Sequence, residues 1–321
     1  MRFNSTLGED PILSIDLGEA YCDGFQTSYS ENEINDGLGY DSVNAMVKHW
    51  PGGGSGESGR DTHYAYGKFA VYPGNNFDEH LIPFTEGAFK LKGKTKKASA
   101  VMPYYTISYN QDKKNGENVG NSYNKYIIND LLRDEYKYDG VICTDWLITK
   151  NNHVVDAFIS GKCWGVETLS EDERHYKALM DGVDQFGGNN EVQPILNAYK
   201  MGVKEHGEEF MRARFEKSAV RLLLNIFRTG LFENPYVDVI ITDFGAQTQA
   251  IMDIISGNVN PSGLLPFNMP ANMETVEAQC EDVPHDIKCY KDELGNVYKF
   301  AYGLDFNGVI NDYRVAKYKI K

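Results

Sequence analysis

Short apolar runs alternate with polar or glycine-rich segments along the first two thirds of the chain. Segments with helical spacing lie between these runs, for example residues 124–133. This alternation is typical of a parallel α/β sheet or barrel, in which catalytic groups lie at the carboxyl ends of the strands. The runs predicted to be buried strands are 45–49, 98–103, 140–144 and 182–186.

The longest helical pattern covers residues 208–228. Its apolar side chains Ala219, Leu222 and Ile226 recur at spacings of three and four residues, and Gly230 provides a stop signal. We therefore predict one long helix.

A domain boundary is predicted at residues 231–238, where the helical pattern gives way to a polar segment that contains proline. The two predicted domains are residues 1–238 and 239–321. The second is a small α/β piece whose elements are a strand at 239–242, a helix at 246–255, and a turn at 260–263 before another short strand.

The number of predicted strands is too small for a whole barrel. A complete eight-stranded barrel takes roughly 250 residues, but only four or five strand–helix units precede residue 238. Half of a barrel would leave unpaired strand edges, which proteins normally avoid. We therefore expect a truncated or internally deleted chain with a partial (β/α)8 barrel, and a second chain could supply the missing strands.

The composition excludes several classes of protein. Hydrophobic residues make up 41% of the 321 residues, which is too many for a disordered chain. The net charge of −14 disfavours nucleic acid as a partner, because its phosphates require a basic face. No run approaches the roughly 18 apolar residues of a membrane span. No signal peptide is visible at the start of the sequence, and the compartment is left open.

The cysteines do not indicate a metal site or a disulfide framework. There are five, an odd number, and they lack paired metal-ligand spacing. Three histidines, His63, His80 and His153, also lack such spacing with cysteines or carboxylates. We therefore expect no metal.

A carboxylate follows the third predicted strand. Asp145 stands at the carboxyl end of this strand, next to Trp146. A carboxylate in this position can attack an anomeric carbon, and an indole can stack on a sugar. The alternative is structural, because Asp is also a common N-cap where a strand leads into a helix. The residues alone leave both interpretations open.

Two other pairs of polar residues could contribute chemistry. Lys48 and His49 end the first predicted strand and can donate hydrogen bonds to sugar hydroxyls, although Lys48 could equally serve in an ordinary ion pair. Asp61 precedes His63 by two residues, and a carboxylate can orient an imidazole for proton transfer. That spacing is also common by chance. The glycine-rich stretch before Asp61 lacks the Gly-Lys-Ser/Thr ending of a phosphate loop.

Taken together, the motifs resemble those of glycoside hydrolase family 3, in the order in which that family carries them. The resembling segments are residues 1–11, Lys48-His-Trp-Pro-Gly52, Val101-Met-Pro-Tyr-Tyr105, Tyr138-Asp-Gly-Val-Ile-Cys-Thr-Asp-Trp146, 230–238, 260–266 and 300–304. The last two segments resemble the tail of an α/β-sandwich domain, so the second domain is expected to be a remnant of it.

The resemblance implies a retaining, exo-acting glycosidase that works by double displacement without a cofactor. Asp145 would be the nucleophile. A β-glucoside or an oligosaccharide would be the substrate, with β-xylosidase and β-N-acetylglucosaminidase activities left open. The residues that would contact the sugar are Arg2, Lys48, His49, Tyr105 and Trp146.

The chain differs from the two-domain members of the family in its acid/base residue. Those members supply a glutamate from a stretch that this sequence omits after the predicted barrel. A single-domain branch, the β-N-acetylhexosaminidases, uses an Asp-x-His pair instead, and Asp61 and His63 match that pattern. A non-catalytic sugar-binding remnant is the rival interpretation.

Overall fold

The structure is a computed structural model in which the chain forms two compact units, Met1–Val237 and Asp238–Lys321. The described residues are 7–152, 160–233, 248–278 and 285–317.

The first unit combines helices with short strands. Its α-helices are α1 (Pro11–Gln26), α2 (Phe77–Ile82), α3 (Glu171–Asp181), α4 (Val192–His206) and α5 (Glu208–Arg228). Its strands are β1 (Glu33–Asn35), β2 (Leu38–Gly39), β3 (Met46–Trp50), β4 (Phe69–Ala70), β5 (Ala100–Pro103), β6 (Ile107–Ser108) and β7 (Val141–Ile142). Its shorter helical turns are Ser30–Asn32, Glu57–Gly59, Ala65–Gly67 and Asn121–Tyr123, with π-helical turns at Pro83–Ala88 and Tyr126–Glu135.

The central sheet of this unit is parallel, with its strands in the order β3-β5-β7. Met46 pairs with Ala100, and Ala100 pairs with Val141. The first three predicted strands are therefore confirmed. Because parallel strands point the same way, their carboxyl ends meet at one edge of the sheet.

The long helix is also confirmed, since α5 spans Glu208–Arg228. The helical pattern at 124–133 is only partly confirmed, because the segment Tyr126–Glu135 is wound as a π-helix. A π-helix has one more residue in each hydrogen-bonded turn than an α-helix. Its apolar residues are still buried.

The fourth predicted strand, at 182–186, is wrong. Cys143 and Gln185 form a single parallel bridge there, without a strand. The side chain of Asp184 supplies a hydrogen-bond acceptor that a strand would supply from its backbone, because its Oδ2 accepts the Ile142 N–H at 3.0 Å. A buried side chain thus replaces part of a backbone ladder.

Asp184 also holds β7 against α5. Its carboxylate is completely buried and accepts hydrogen bonds from Arg133 Nη2 at 2.5 Å and Ser218 Oγ at 2.6 Å. Arg221 Nη1 donates at 3.0 Å, and Arg214 Nη1 lies 3.8 Å away. A buried charge is stable only when it is paired and hydrogen-bonded in this way. The cluster therefore fixes the strand that leads to Asp145.

The first unit has its core around Trp50, which is completely buried. Its indole Nε1 donates to the Ile127 carbonyl oxygen at 3.1 Å, and its ring meets Phe84 edge-on with the centroids 5.4 Å apart. Val101 and Ile142, from the neighbouring strands, belong to the same apolar cluster. The core therefore lies directly beneath the sheet edge that carries the predicted site.

A buried amide joins α1 to the start of this sheet. Gln26 donates from Nε2 to Thr95 Oγ1 at 3.2 Å and to the Lys97 carbonyl at 3.0 Å. Its Oε1 accepts from the Ala45 N–H at 3.1 Å and from the Ser99 N–H at 2.7 Å. The starts of β3 and β5 are thereby set side by side.

No sheet closes on itself within the described ranges, where the largest sheet has three strands. The combination of helices with a parallel sheet confirms the α/β class. The assignment to a partial (β/α)8 barrel, and the identity of each predicted domain, stay proposals.

The second unit contains short elements: α6 (Thr248–Ile255), α7 (Met273–Glu277), β8 (Leu304–Asp305), β9 (Gly308–Val309) and α8 (Tyr313–Lys317). The predicted strand at 239–242 lies outside the described residues. The predicted helix at 246–255 is observed from Thr248. No strand follows the predicted turn at 260–263 directly, although Leu265 exchanges backbone hydrogen bonds with Ala301 and Tyr302.

Candidate active site

The polar residues singled out in the sequence converge on one edge of the parallel sheet. Lys48 and His49 belong to β3, Tyr105 follows β5 by two residues, and Asp145 follows β7 by three. Consecutive parallel strands bring these side chains together, although they are up to about a hundred residues apart in the chain.

Asp145 is the most buried acidic group at this edge, with 4% of its surface exposed. Its Oδ1 accepts the Trp146 N–H at 2.8 Å. Its Oδ2 lies 3.4 Å from His49 Nε2, but it has no partner of hydrogen-bond geometry among the described residues. A buried polar atom without such a partner is unusual in a protein interior and is typical of a functional site.

The structural interpretation of Asp145 as a helix N-cap is not supported. Residues 146–149 form a turn, and no helix begins between residues 146 and 152. The one N–H that Asp145 caps is that of the next residue, Trp146. The burial of Asp145 therefore has a reason other than helix capping.

Burial raises the pKa of Asp145 above its ordinary value. The Trp146 N–H, the Tyr105 hydroxyl and the charges of Lys48 and His63 act in the opposite direction. These neighbours favour the ionised form, which is the form that can attack as a nucleophile.

Asp61 and His63 form a close pair beside this carboxylate. His63 Nδ1 lies 2.6 Å from Asp61 Oδ1, which also accepts the backbone N–H of His63 at 2.9 Å. His63 as a residue is 9% exposed, and its ring meets the Tyr105 ring edge-on, with the centroids 5.3 Å apart. Asp61 therefore fixes the orientation of the His63 imidazole, which contacts Tyr105, a neighbour of Asp145.

Tyr105 contacts the His63 ring and lies close to Asp145. Burial raises the pKa of its hydroxyl, and the nearby charge of Asp145 raises it further. The hydroxyl therefore stays protonated at neutral pH and can donate a hydrogen bond to an anion.

Trp146 is 59% exposed, so its ring is available to a ligand. Its inner side rests on Gly188, where an added Cβ would lie 2.5 Å from ring atom Cε3. Arg2, the remaining predicted sugar contact, lies outside the described residues.

Two residues of the site were missed in the sequence. Tyr104 stacks on the His49 ring with the centroids 4.3 Å apart, and Lys162 lies with its Nζ 5.6 Å from the Tyr105 centroid. Lys162 is 2% exposed. The available signal was a lysine set directly before the apolar Cys163-Trp164, a position that is unusual for a solvated lysine.

The two β3 side chains give a testable expectation. Lys48→Met should weaken the binding of glucose by about 1.5–3 kcal/mol, the value of a hydrogen bond from a charged donor, and His49→Ala by about 0.5–1.5 kcal/mol, the value of an ordinary hydrogen bond. Lys48→Met should also move the acid limb of the pH–rate profile upward, because the lysine charge lowers the pKa of Asp145. Titration calorimetry and a pH series measure the two effects.

The control for Lys48→Met is Lys90→Met, since Lys90 pairs with Glu86 on the surface. Unchanged glucose affinity in both the Lys48 and His49 variants would contradict the prediction that these residues hold sugar.

Within the described ranges, no group of three or more His, Cys, Asp or Glu side chains is arranged to hold a metal ion. The helices of the same ranges do not include one that is long and apolar enough to cross a membrane.

A buried carboxylate flanked by histidines and aromatic rings, at the carboxyl edge of a parallel sheet, is an arrangement that suits a glycosidase. The model described as Glycosyl hydrolase family 3 N terminal domain matches residues 2–224. The chain belongs to glycosyl hydrolase family 3.

Relatives within the family support the same assignment. Beta-glucosidase C of Emericella nidulans is 40% identical over 237 residues, which are 74% of this chain and 35% of the relative. The periplasmic beta-glucosidase/beta-xylosidase of Dickeya chrysanthemi is 39% identical over 249 residues, again 74% and 35%. The chain thus spans about a third of the length of the curated relatives it matches.

Solved structures share the fold. A β-glucosidase from Erythrobacter marinus superposes with a TM-score of 0.50 at 25% identity, covering 74% of this chain and 27% of that one. A β-glucosidase from Listeria innocua in complex with isofagomine gives 0.52 at 21% identity, covering 83% and 34%.

Proposed function

We propose that this chain carries the sugar-cleaving site of a retaining β-glycosidase that removes terminal β-linked sugars. The observation that carries the proposal is the environment of Asp145. Its carboxylate is buried at the carboxyl edge of the sheet, and its Oδ2, which lacks a hydrogen-bond partner among the described residues, lies 3.4 Å from His49. A carboxylate held in this way is suited to attack an anomeric carbon.

In the first step Asp145 forms a bond to the anomeric carbon as the bond to the leaving oxygen breaks. In the second step water replaces Asp145 and restores the configuration. Lys48 and His49 donate hydrogen bonds to hydroxyls of the sugar that is cleaved. Tyr105 donates to the carboxylate, and Trp146 forms a wall beyond the cleaved bond.

The proton for the leaving oxygen comes from His63 in this proposal. Asp61 accepts from the imidazole at 2.6 Å, so it fixes which nitrogen faces the site and stabilises the cation. In the second step the same imidazole takes a proton from the attacking water, as acid–base catalysis requires.

The proposed substrate class is a terminal β-glucoside, with β-xylosides second. This follows the names of the relatives, a β-glucosidase and a β-glucosidase/β-xylosidase. We further propose that residues 1–238 are part of a (β/α)8 barrel and that 239–321 are a remnant of an α/β-sandwich domain. A second chain that supplies further strands stays a prediction.

Covalent trapping tests the function directly. A 2-fluoro β-glucoside with a dinitrophenyl leaving group reacts slowly in the second step, so the glycosyl–enzyme ester should accumulate. Peptide mass spectrometry should then find the label on Asp145.

The control is Asp139→Asn, because Asp139 forms an exposed pair with Lys97 near the start of the same strand. This variant should still be labelled. A label on another residue would overturn the assignment of the nucleophile, and sugar binding without a label would favour a non-catalytic binding protein.

A further inference from the structure

The loop between β3 and β4 is folded tightly around Gly67. The Tyr64 N–H donates to the Asp61 carbonyl oxygen at 3.2 Å, and the Gly67 N–H donates to the Tyr64 carbonyl oxygen at 2.9 Å. A Cβ at Gly67 would lie 2.1 Å from the Asp61 oxygen, so only glycine allows this approach. The loop therefore presents the side chains of residues 61–67 in a defined arrangement.

Two tyrosines of this loop form a stacked pair. The rings of Tyr64 and Tyr66 are nearly parallel, with 4° between their planes and 5.2 Å between their centroids. Tyr66 is nevertheless 63% exposed. Stacking fixes the orientation of the ring, and exposure leaves apolar surface that a ligand can cover.

The stacked pair is tied to the candidate active site. His63 lies directly before Tyr64 in the chain and contacts the Tyr105 ring. Trp164 Nε1 donates to the Thr62 carbonyl oxygen at 3.2 Å and so anchors the loop to the segment that follows Asp145. The two tyrosines therefore cannot lie far from the proposed proton donor.

The position of the proton donor determines which part of a substrate meets the tyrosines. A general acid must reach the oxygen of the leaving group. Residues adjacent to His63 therefore lie on the leaving-group side of the cleaved bond. An exposed ion pair between Arg60 and Glu57, 3.5 Å apart on the same loop, adds polar groups that can bind hydroxyls.

We propose that Tyr64 and Tyr66 form a stacking platform for a further pyranose ring on the leaving-group side, which gives a preference for oligosaccharides over disaccharides. The proposal rests on the proposed function, because His63 defines the leaving-group side. The apolar face of a pyranose packs on an aromatic ring much as another ring does, and the hydroxyls at its rim meet the polar groups of the loop.

The test measures binding without turnover. In an Asp145→Asn background, cellotetraose and cellobiose are titrated by calorimetry, and the ratio of their affinities is compared between variants. Tyr66→Ala should lower the affinity for the tetrasaccharide by about two- to tenfold, the size of an aromatic contact, so the ratio falls. Tyr66→Phe keeps the ring and should keep the ratio.

Tyr29→Ala is the matched control, since Tyr29 is 72% exposed on another part of the same unit. An unchanged ratio in Tyr66→Ala, together with labelling of Asp145 in the chain that keeps this carboxylate, would overturn the platform and leave the proposed function standing. Equal affinity of the parent for both sugars, or no affinity for the tetrasaccharide, would also overturn the platform. Absence of labelling at Asp145 counts against the proposed function itself.

Discussion

Replacement of Asp145 by Asn is expected to lower kcat/KM for an aryl β-glucoside by roughly 10⁴-fold or more, the scale of loss when a covalent nucleophile is removed. Asn has almost the same shape but is too weak a nucleophile to form the glycosyl ester. The fold should tolerate the change. Burial disfavours the charged carboxylate and raises the pKa of Asp145, and the amide of Asn carries no charge. Steady-state kinetics and a thermal melt measure the two quantities.

The pH profile gives an independent check on this assignment. Attack requires the ionised carboxylate, so activity should be lost as the pH falls through the pKa of Asp145. Burial places that pKa above the ordinary 3.8 of an aspartate. Residual activity of Asp145→Asn close to that of the parent, with the acid limb unchanged, would contradict the role of Asp145.

Replacement of His63 by Ala is expected to separate substrates by their leaving groups. Acid–base assistance contributes typically about 10²–10⁴-fold, so turnover of cellobiose or an alkyl glucoside should fall by that factor. A dinitrophenyl glucoside should lose far less in its first step, because this phenolate leaves without a proton. Pre-steady-state bursts measure the first step for the aryl substrate.

Asp61→Asn should show a weaker form of the same pattern, because Asp61 orients the imidazole and does not itself reach the substrate. The control is His206→Ala, since His206 lies at the end of α4, where it contacts Glu205 and Phe210. If His63→Ala cleaves cellobiose as fast as the parent does, the acid must come from another residue.

Elements with a strong local pattern could be predicted from the sequence. The helix Glu208–Arg228 follows from periodic apolar residues, and the strands β3, β5 and β7 follow from short apolar runs. The segment at 182–186 could not be predicted correctly, because its apolar pattern suits a strand. What decides its structure is the pairing of Asp184 with side chains that lie 34 to 51 residues away.

The same contrast applies to the candidate site. Asp145 and His49 stand out because each belongs to a short motif at the end of an apolar run, and Asp61–His63 stands out through its Asp-x-His spacing in a glycine-rich loop. Their proximity could be expected from the parallel sheet. Lys162 was missed because its burial depends on the packing of a loop, and the apolar Cys163-Trp164 beside it is only a weak local signal.

The Asp184 cluster has a consequence for how this sequence can diverge. One carboxylate serves three arginines, so the four positions are coupled and their substitutions cannot be additive. Loss of Asp184 would leave several guanidinium groups of low exposure without a counter-charge. Loss of Arg214 alone would leave Asp184 paired with Arg133 and Arg221. Single arginines can therefore be replaced while others remain, whereas replacement of the last arginine or of Asp184 would leave buried charge unpaired, so the last arginine and the aspartate have to change together.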